Sequence, residues 1–141
     1  RKRLVKSAKV YWRDTGLLHA LLGLNGDLRD QPWVGASWEG WIIEQILGYL
    51  QSTGQPHQAH YLRTSDQKEI DLVLEYRGQL WALQIKLTSA PDLNDLKRLA
   101  DTARLINADR VALISRTRDP LPGAKAASLN LAILLDEFTP T

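Results

Sequence analysis

Glu69 to Tyr76, Arg77-Gly78 and Gln79 to Lys86 read as two strands joined by a two-residue turn, and this reading leaves the chain little freedom. A two-residue hairpin loop sets Tyr76 against Gln79. The opposed positions then follow in order, placing Asp71 across from Gln84 and Glu69 across from Lys86 on one face, with Cβ atoms about 5 Å apart. The other face pairs Ile70 with Ile85, Leu72 with Leu83 and Leu74 with Trp81, an unbroken apolar surface suited to a core. A slip of one residue would bury Asp71, Gln84 and Lys86 or expose the apolar ladder, so alternation favours the register that gathers the polar trio. The expectation is that the trio shares one face, turned toward a long helix at Glu39, with Leu72, Leu83 and Ile85 buried on the other.

Elements around the hairpin follow from local signals. Asp14 is placed to cap a short helix over Thr15–Leu22 that stops at Gly23, and Leu24 to Pro32 reads as a loop. Trp33 to Leu50 carries apolar residues at helical spacing and ends at Ser52-Thr53-Gly54. His60 to Thr64 reads as a strand. Ser89-Ala90-Pro91-Asp92 is suited to capping an amphipathic helix through Asn107, striped by Leu93, Leu96, Leu99, Ala100, Ala103 and Ile106. Val111 to Ile114 reads as a strand covered on both faces, and Leu129 to Leu135 as a final strand. The order αβββαβ predicts a mixed central sheet with helices on both sides.

The long helix adds a fourth polar residue. At about 100° per residue, Glu39 lies within the face carrying Ile42, Ile43, Ile46 and Leu50, whereas Glu44 falls with Gly48 and Gln51 on the polar side. A carboxylate inside an apolar stripe needs a cation, a metal or a hydrogen-bond donor to meet it. A plain salt bridge or a backbone cap would satisfy it; so would Lys86 or a metal on the adjacent sheet. Glu44 reads as solvated.

With 141 residues, 44% of them hydrophobic, the chain is large enough for one globular domain with a substantial core. The absence of cysteine excludes a disulfide framework, a thiolate metal site and a cysteine nucleophile, and it fits a reducing compartment. No apolar run approaches the roughly 20 residues needed to cross a bilayer, so the chain reads as cytoplasmic, with no membrane partner. Methionine is also absent, including at position 1, which suggests a fragment of something longer. Arg1, Lys2, Arg3, Lys6 and Lys9 supply five of the 18 lysines and arginines, leaving 13 against 16 acids elsewhere. Residues 1–13 therefore read as a basic linker or arm and 14–141 as the domain proper. Lys97, Arg98 and Arg104 on a helix, with Arg110, Arg116 and Arg118 beyond, form a second basic group. Either group could meet the phosphates of DNA or RNA, or stay solvated.

Several chemistries are excluded or disfavoured. No Gly-x-Ser-x-Gly turn is present to activate a serine, and no phosphate-binding Gly-x-x-x-x-Gly-Lys-Ser/Thr segment occurs. His19, His57 and His60 lack the spacing of a metal site. The tryptophans suit core or interface positions, with Trp41, opposite the apolar stripe, expected at a domain or subunit contact.

Glu39 on a helix, Glu69-Ile70-Asp71 on one strand and Gln84-Ile85-Lys86 on the next together resemble the PD-(D/E)xK nuclease core. More narrowly, Lys6-Ser7-Ala8-Lys9-Val10-Tyr11-Trp12-Arg13-Asp14-Thr15-Gly16-Leu17-Leu18 and Trp38-Glu39-Gly40 resemble the uncharacterised C-terminal domain that follows the ATPase module in many prokaryotic AAA-type proteins. The resemblance implies a restriction-endonuclease-like αβββαβ fold and an upstream ATPase domain in the parent chain. It also implies a metal site for Mg2+ or Mn2+ formed by Asp71, Gln84 and Glu39, with Lys86 assisting the attacking water and Glu39 completing the catalytic set. Such a site would act on DNA or RNA. Gln84 departs from the pattern, since a glutamate is usual there; the amide oxygen would bring no charge to a hard cation. A weakened or degenerate nuclease is one expectation. A non-catalytic docking or regulatory module that keeps the fold is the other.

Overall fold

In a computed structural model, which describes residues 9–24 and 26–139, the hairpin forms the middle of an open six-stranded sheet. Helix α1 (Thr15–Leu21) and the long helix α2 (Val34–Ser52) precede strands β1 (His57–Arg63), β2 (Glu69–Tyr76) and β3 (Gln79–Ile85). Helix α3 (Leu93–Ala103), followed by one 3-10 turn, leads to β4 (Arg110–Ile114), two short strands, β5 (Leu121–Pro122) and β6 (Ala127–Leu129), and helix α4 (Leu131–Glu137). The strand order is β1-β2-β3-β4-β6-β5, with β1 to β3 antiparallel and β3, β4 and β6 parallel. This is the expected mixed sheet between helical layers, a restriction-endonuclease-like α/β architecture. Among the described residues no helix is long and apolar enough to cross a membrane. Arg1, Lys2, Arg3 and Lys6 of the basic arm lie outside the described residues.

Two cores separate the layers. Ile42, Ile43, Ile46 and Leu50 of α2 pack with Leu72, Leu74, Trp81, Leu83 and Ile85 of the hairpin, and α4 contributes Leu134 and Phe138 to this side. On the opposite face, Leu96, Leu99, Ala100 and Ala103 of α3 pack with Leu62, Val73, Ala82 and Leu113. Strand β2 is thus buried from both sides, as a central strand under two apolar helix stripes must be. The turn needs left-handed backbone at both positions, and Arg77 (φ 49°) and Gly78 (φ 73°) provide it. Asp14 caps α1 through the Leu17 amide, and Asp92 caps α3 through that of Asn94.

Two expectations need correction. Leu129 to Leu135 is not a strand: pairing stops at Leu129, and Asn130 caps α4 by accepting from the Ile133 amide at 3.0 Å. Leu131, Leu134, Leu135 and Phe138 recur at helical spacing, so one stripe reaches the α2-side core, which a strand with period two would not allow. The second correction is in the hairpin. From Tyr76–Gln79 to Leu72–Leu83 the pairing runs as expected. On the β1 side, His60 faces Val73 but Leu62 faces Ile70, so Tyr61 alone stands against both Asp71 and Leu72. Strand β2 therefore carries a bulge at Asp71-Leu72. Ile70, expected on the ladder with Leu72, packs instead with Val73, Leu96 and Leu99 on the α3 side.

Candidate functional site

The bulge decides where Asp71 goes. A regular β2 would point Asp71 to the α3 face with Val73, but the extra residue turns its carboxylate toward α2 and the N-terminal arm. There, Lys9 Nζ lies 3.6 Å from Asp71 Oδ1 and forms an ion pair and hydrogen bond with Glu39 Oε1. The Tyr11 hydroxyl donates to the same Glu39 oxygen. The ammonium also lies 5.2 Å from the centre of the Tyr11 ring and 4.8 Å from that of Tyr61. Glu39 thus finds the cation that its place in the α2 apolar stripe demands, and it comes from the arm. Gly40 lets the arm lie this close, because a Cβ there would stand 3.2 Å from Tyr11 Cδ1.

Asp71 is 4% exposed and its second oxygen is also engaged. Oδ2 accepts from Gln84 Nε2 at 3.0 Å and from the Ile85 amide at 2.8 Å. In an unbroken ladder that amide would bond Ile70 across the hairpin; the carboxylate satisfies the donor that the bulge leaves over. Burial, followed by the Glu39 charge, pushes the Asp71 carboxyl up to about 6, against the opposing pull of the Ile85 amide and Lys9. Burial alone would lower Lys9, but the Glu39 hydrogen bond and the charges of Glu39 and Asp71 outweigh it and hold the ammonium above its ordinary value. Burial and the bond to Glu39 likewise raise the Tyr11 hydroxyl. Lys9 and Tyr11 accordingly keep their protons around neutrality.

Of the residues expected at the site, Glu39, Asp71 and Gln84 come together and Lys86 does not. Lys86 Nζ reaches Asp95 Oδ2 of α3 at 2.6 Å, and Arg98 binds the other oxygen of Asp95 at 2.7 Å. Gln84 and Lys86 border a cleft with Gln67, Asp95, Arg98 and Thr102 on the α3 side, so the trio does not face α2 as a unit; the ladder Leu72, Leu83 and Ile85, expected on the face away from α2, is what packs against its apolar stripe. Glu69, expected across from Lys86, pairs with Arg63 at 3.3 Å. Glu44 is half-buried, with Arg13 at 3.8 Å, not simply solvated. Sequence reasoning missed Lys9, Tyr11 and Tyr61. By local sequence Lys9 belongs to the basic arm, and its partners lie 30 and 62 positions away.

A hard divalent cation takes six or more oxygen ligands in Mg2+ and Ca2+ sites, many of them charged or carbonyl. Here Glu39 Oε1, which also accepts from Tyr11, and Asp71 Oδ1 face the Lys9 ammonium, and Asp71 Oδ2 accepts from two N–H donors. Among the described residues no group of three or more His, Cys, Asp or Glu is placed to hold a metal ion. As arranged, the two carboxylates face a cation that carries its own protons.

Half of the basic group around α3 is paired with acids. Arg98 pairs with Asp95, Arg104 with Asp101 and Arg110 with Glu137. The arm and α1 instead expose apolar side chains: Val10 is 87% exposed, Trp12 60% and Leu21 71%, with Leu17 and Leu22 beside them. Trp41 is partly exposed and stacks on Trp38 at 5.2 Å between ring centres.

The uncharacterised proteins Rv2008c of Mycobacterium tuberculosis and Mb2031c of Mycobacterium bovis are each 42% identical to this chain over 101 residues, covering 70% of it. The match takes in 22% of each relative, so the chain spans about a fifth of their length. A family model described as a domain of unknown function, DUF4143, matches residues 34–132, the stretch from the start of α2 into α4 that holds Glu39, Asp71, Gln84 and Lys86. The chain belongs to the DUF4143 family.

Proposed function

We propose that this domain is a non-catalytic module that keeps a nuclease-like fold and docks onto protein, the remainder of an ATPase-containing parent chain being its partner. The observation that carries this reading is the Lys9 ammonium between Glu39 and Asp71. It supplies the positive charge that a hydrolytic site would take from a metal. Two further features agree with it. Lys86, the residue that would assist water, is held by Asp95, and three of the arginines that would meet phosphates, Arg98, Arg104 and Arg110, are engaged with acids. The exposed apolar side chains of the arm and α1 suit a protein partner better than a phosphate backbone.

A weakened nuclease acting on DNA or RNA is the second reading, favoured by the contact between Asp71 and Gln84 beside Glu39. Cleavage assays separate the two. Single- and double-stranded DNA and RNA are incubated with the domain and Mg2+ or Mn2+. The docking reading expects no metal-dependent cleavage, and binding of the domain to the separately produced remainder of its parent chain. Cleavage that Asp71→Asn and Lys86→Ala both abolish would overturn it.

A further inference from the structure

The surroundings of Lys9 are more specific than charge balance requires. Two carboxylates approach the ammonium from α2 and β2, and two tyrosine rings lie 5.2 and 4.8 Å from it. Carboxylates accept the ammonium protons, and aromatic faces attract its charge through their quadrupole. A potassium ion has no protons to donate, a quaternary ammonium has none either, and a divalent ion would need oxygens where the rings stand. The bulge makes this arrangement, because Tyr61 is the single β1 residue facing Asp71 and Leu72.

We propose that Glu39, Asp71, Tyr11 and Tyr61 form a cage for a primary ammonium, with Lys9 as its resident occupant and a primary alkylammonium as the class of ligand that competes for it. The cage gives the arm its hold on the domain. Lys9 is the anchor, and Val10, Tyr11 and Trp12 beside it line a cavity of about 340 Å3 together with Leu18, Leu22 and Trp33. An amine that enters the cage thus displaces the Lys9 side chain, with Tyr11 still in place as a wall, and loosens the arm's hold beside this cavity. The proposal rests on the reading that Lys9, not a metal, serves the acid pair, and it adds selectivity among cations.

The test is chemical rescue of Lys9→Ala, a truncation that leaves room for a straight-chain amine. The melting temperature of the variant is followed against n-butylammonium, tetramethylammonium, potassium and Mg2+ at matched ionic strength. A saturable rise with n-butylammonium that recovers at least half of the lost melting temperature, without a comparable rise from the other three, is expected. No rescue, or equal rescue by tetramethylammonium, would overturn the cage while leaving the non-catalytic reading intact. A larger rise with Mg2+ would overturn both. Should Lys9→Ala not fold, nitrogen-detected NMR of the wild-type lysine ammonium groups decides the matter: a slowly exchanging Lys9 signal supports the cage, and exchange like that of solvent-exposed lysines refutes it.

Discussion

Lys9 and Asp71, 62 positions apart in the chain, stand 3.6 Å from each other. The contact joins the N-terminal arm to the central strand, and it gives the buried acid a partner without metal. Its strength depends on the protonation of Asp71, which is therefore the first quantity to measure.

Burial and the Glu39 charge push the Asp71 carboxyl up to about 6 in the fold, against an ordinary 3.8. The folded state thus binds a proton that the unfolded chain releases between these values, and the contribution of this group to stability falls as pH rises through that window. Each tenfold difference in proton affinity is worth about 1.4 kcal/mol, so the full change is at most about 3 kcal/mol. Asp71→Asn should flatten the dependence of unfolding free energy on pH between about 4 and 6. An unchanged slope would show that Asp71 is not the group responsible.

Gln84→Glu should lower stability. The substitution removes the Nε2 donor to Asp71 and sets a second carboxylate against it. A loss of about 1–3 kcal/mol follows from an unsatisfied buried group and like charge. Denaturant unfolding at neutral pH measures it, and the loss should shrink as acid protonates the pair.

Asn130→Ala should destabilise the domain by about 1 kcal/mol, since it removes the side-chain acceptor for the Ile133 amide at the start of α4. Asn130→Asp keeps the acceptor but loses the Nδ2 donors to the Thr117 and Arg118 carbonyls, so its stability should fall between wild type and Asn130→Ala. Equal losses in both variants would show that the cap is not what holds α4.

Trp12→Ser combined with Leu21→Ser should change stability little, because both side chains are largely exposed. The same variant should bind the separately produced remainder of the parent chain at least tenfold more weakly, read by calorimetry. Unaltered affinity would move the docking surface elsewhere.

How far the sequence reaches is clear from individual residues. The hairpin register from Tyr76–Gln79 to Leu72–Leu83 is legible because alternation and a two-residue turn fix it locally. Glu39 is legible as an inward acid because helical periodicity places it among Ile42, Ile43 and Ile46. The bulge at Asp71-Leu72 is not, as neither residue marks it and only the register shift between His60 and Leu62 reveals it. A short apolar run such as Leu131–Leu135 suits strand or helix, and the choice falls to Asn130 and to the reach of Phe138 into the core. Lys9 is hidden for a different reason. Its role comes entirely from distant partners, which no local pattern encodes.

The most direct test of Lys9 in place of a metal is an NMR titration of the wild-type domain with Mn2+, whose paramagnetism broadens signals near any site it occupies. With the ammonium serving the acid pair, the Gln84 side-chain amide and the backbone amide of Ile85, both bonded to Asp71, keep their line widths while exposed acids broaden non-specifically. Selective, saturable broadening at Gln84, Ile85 and Glu39 that Mg2+ reverses would contradict this and restore the metal site.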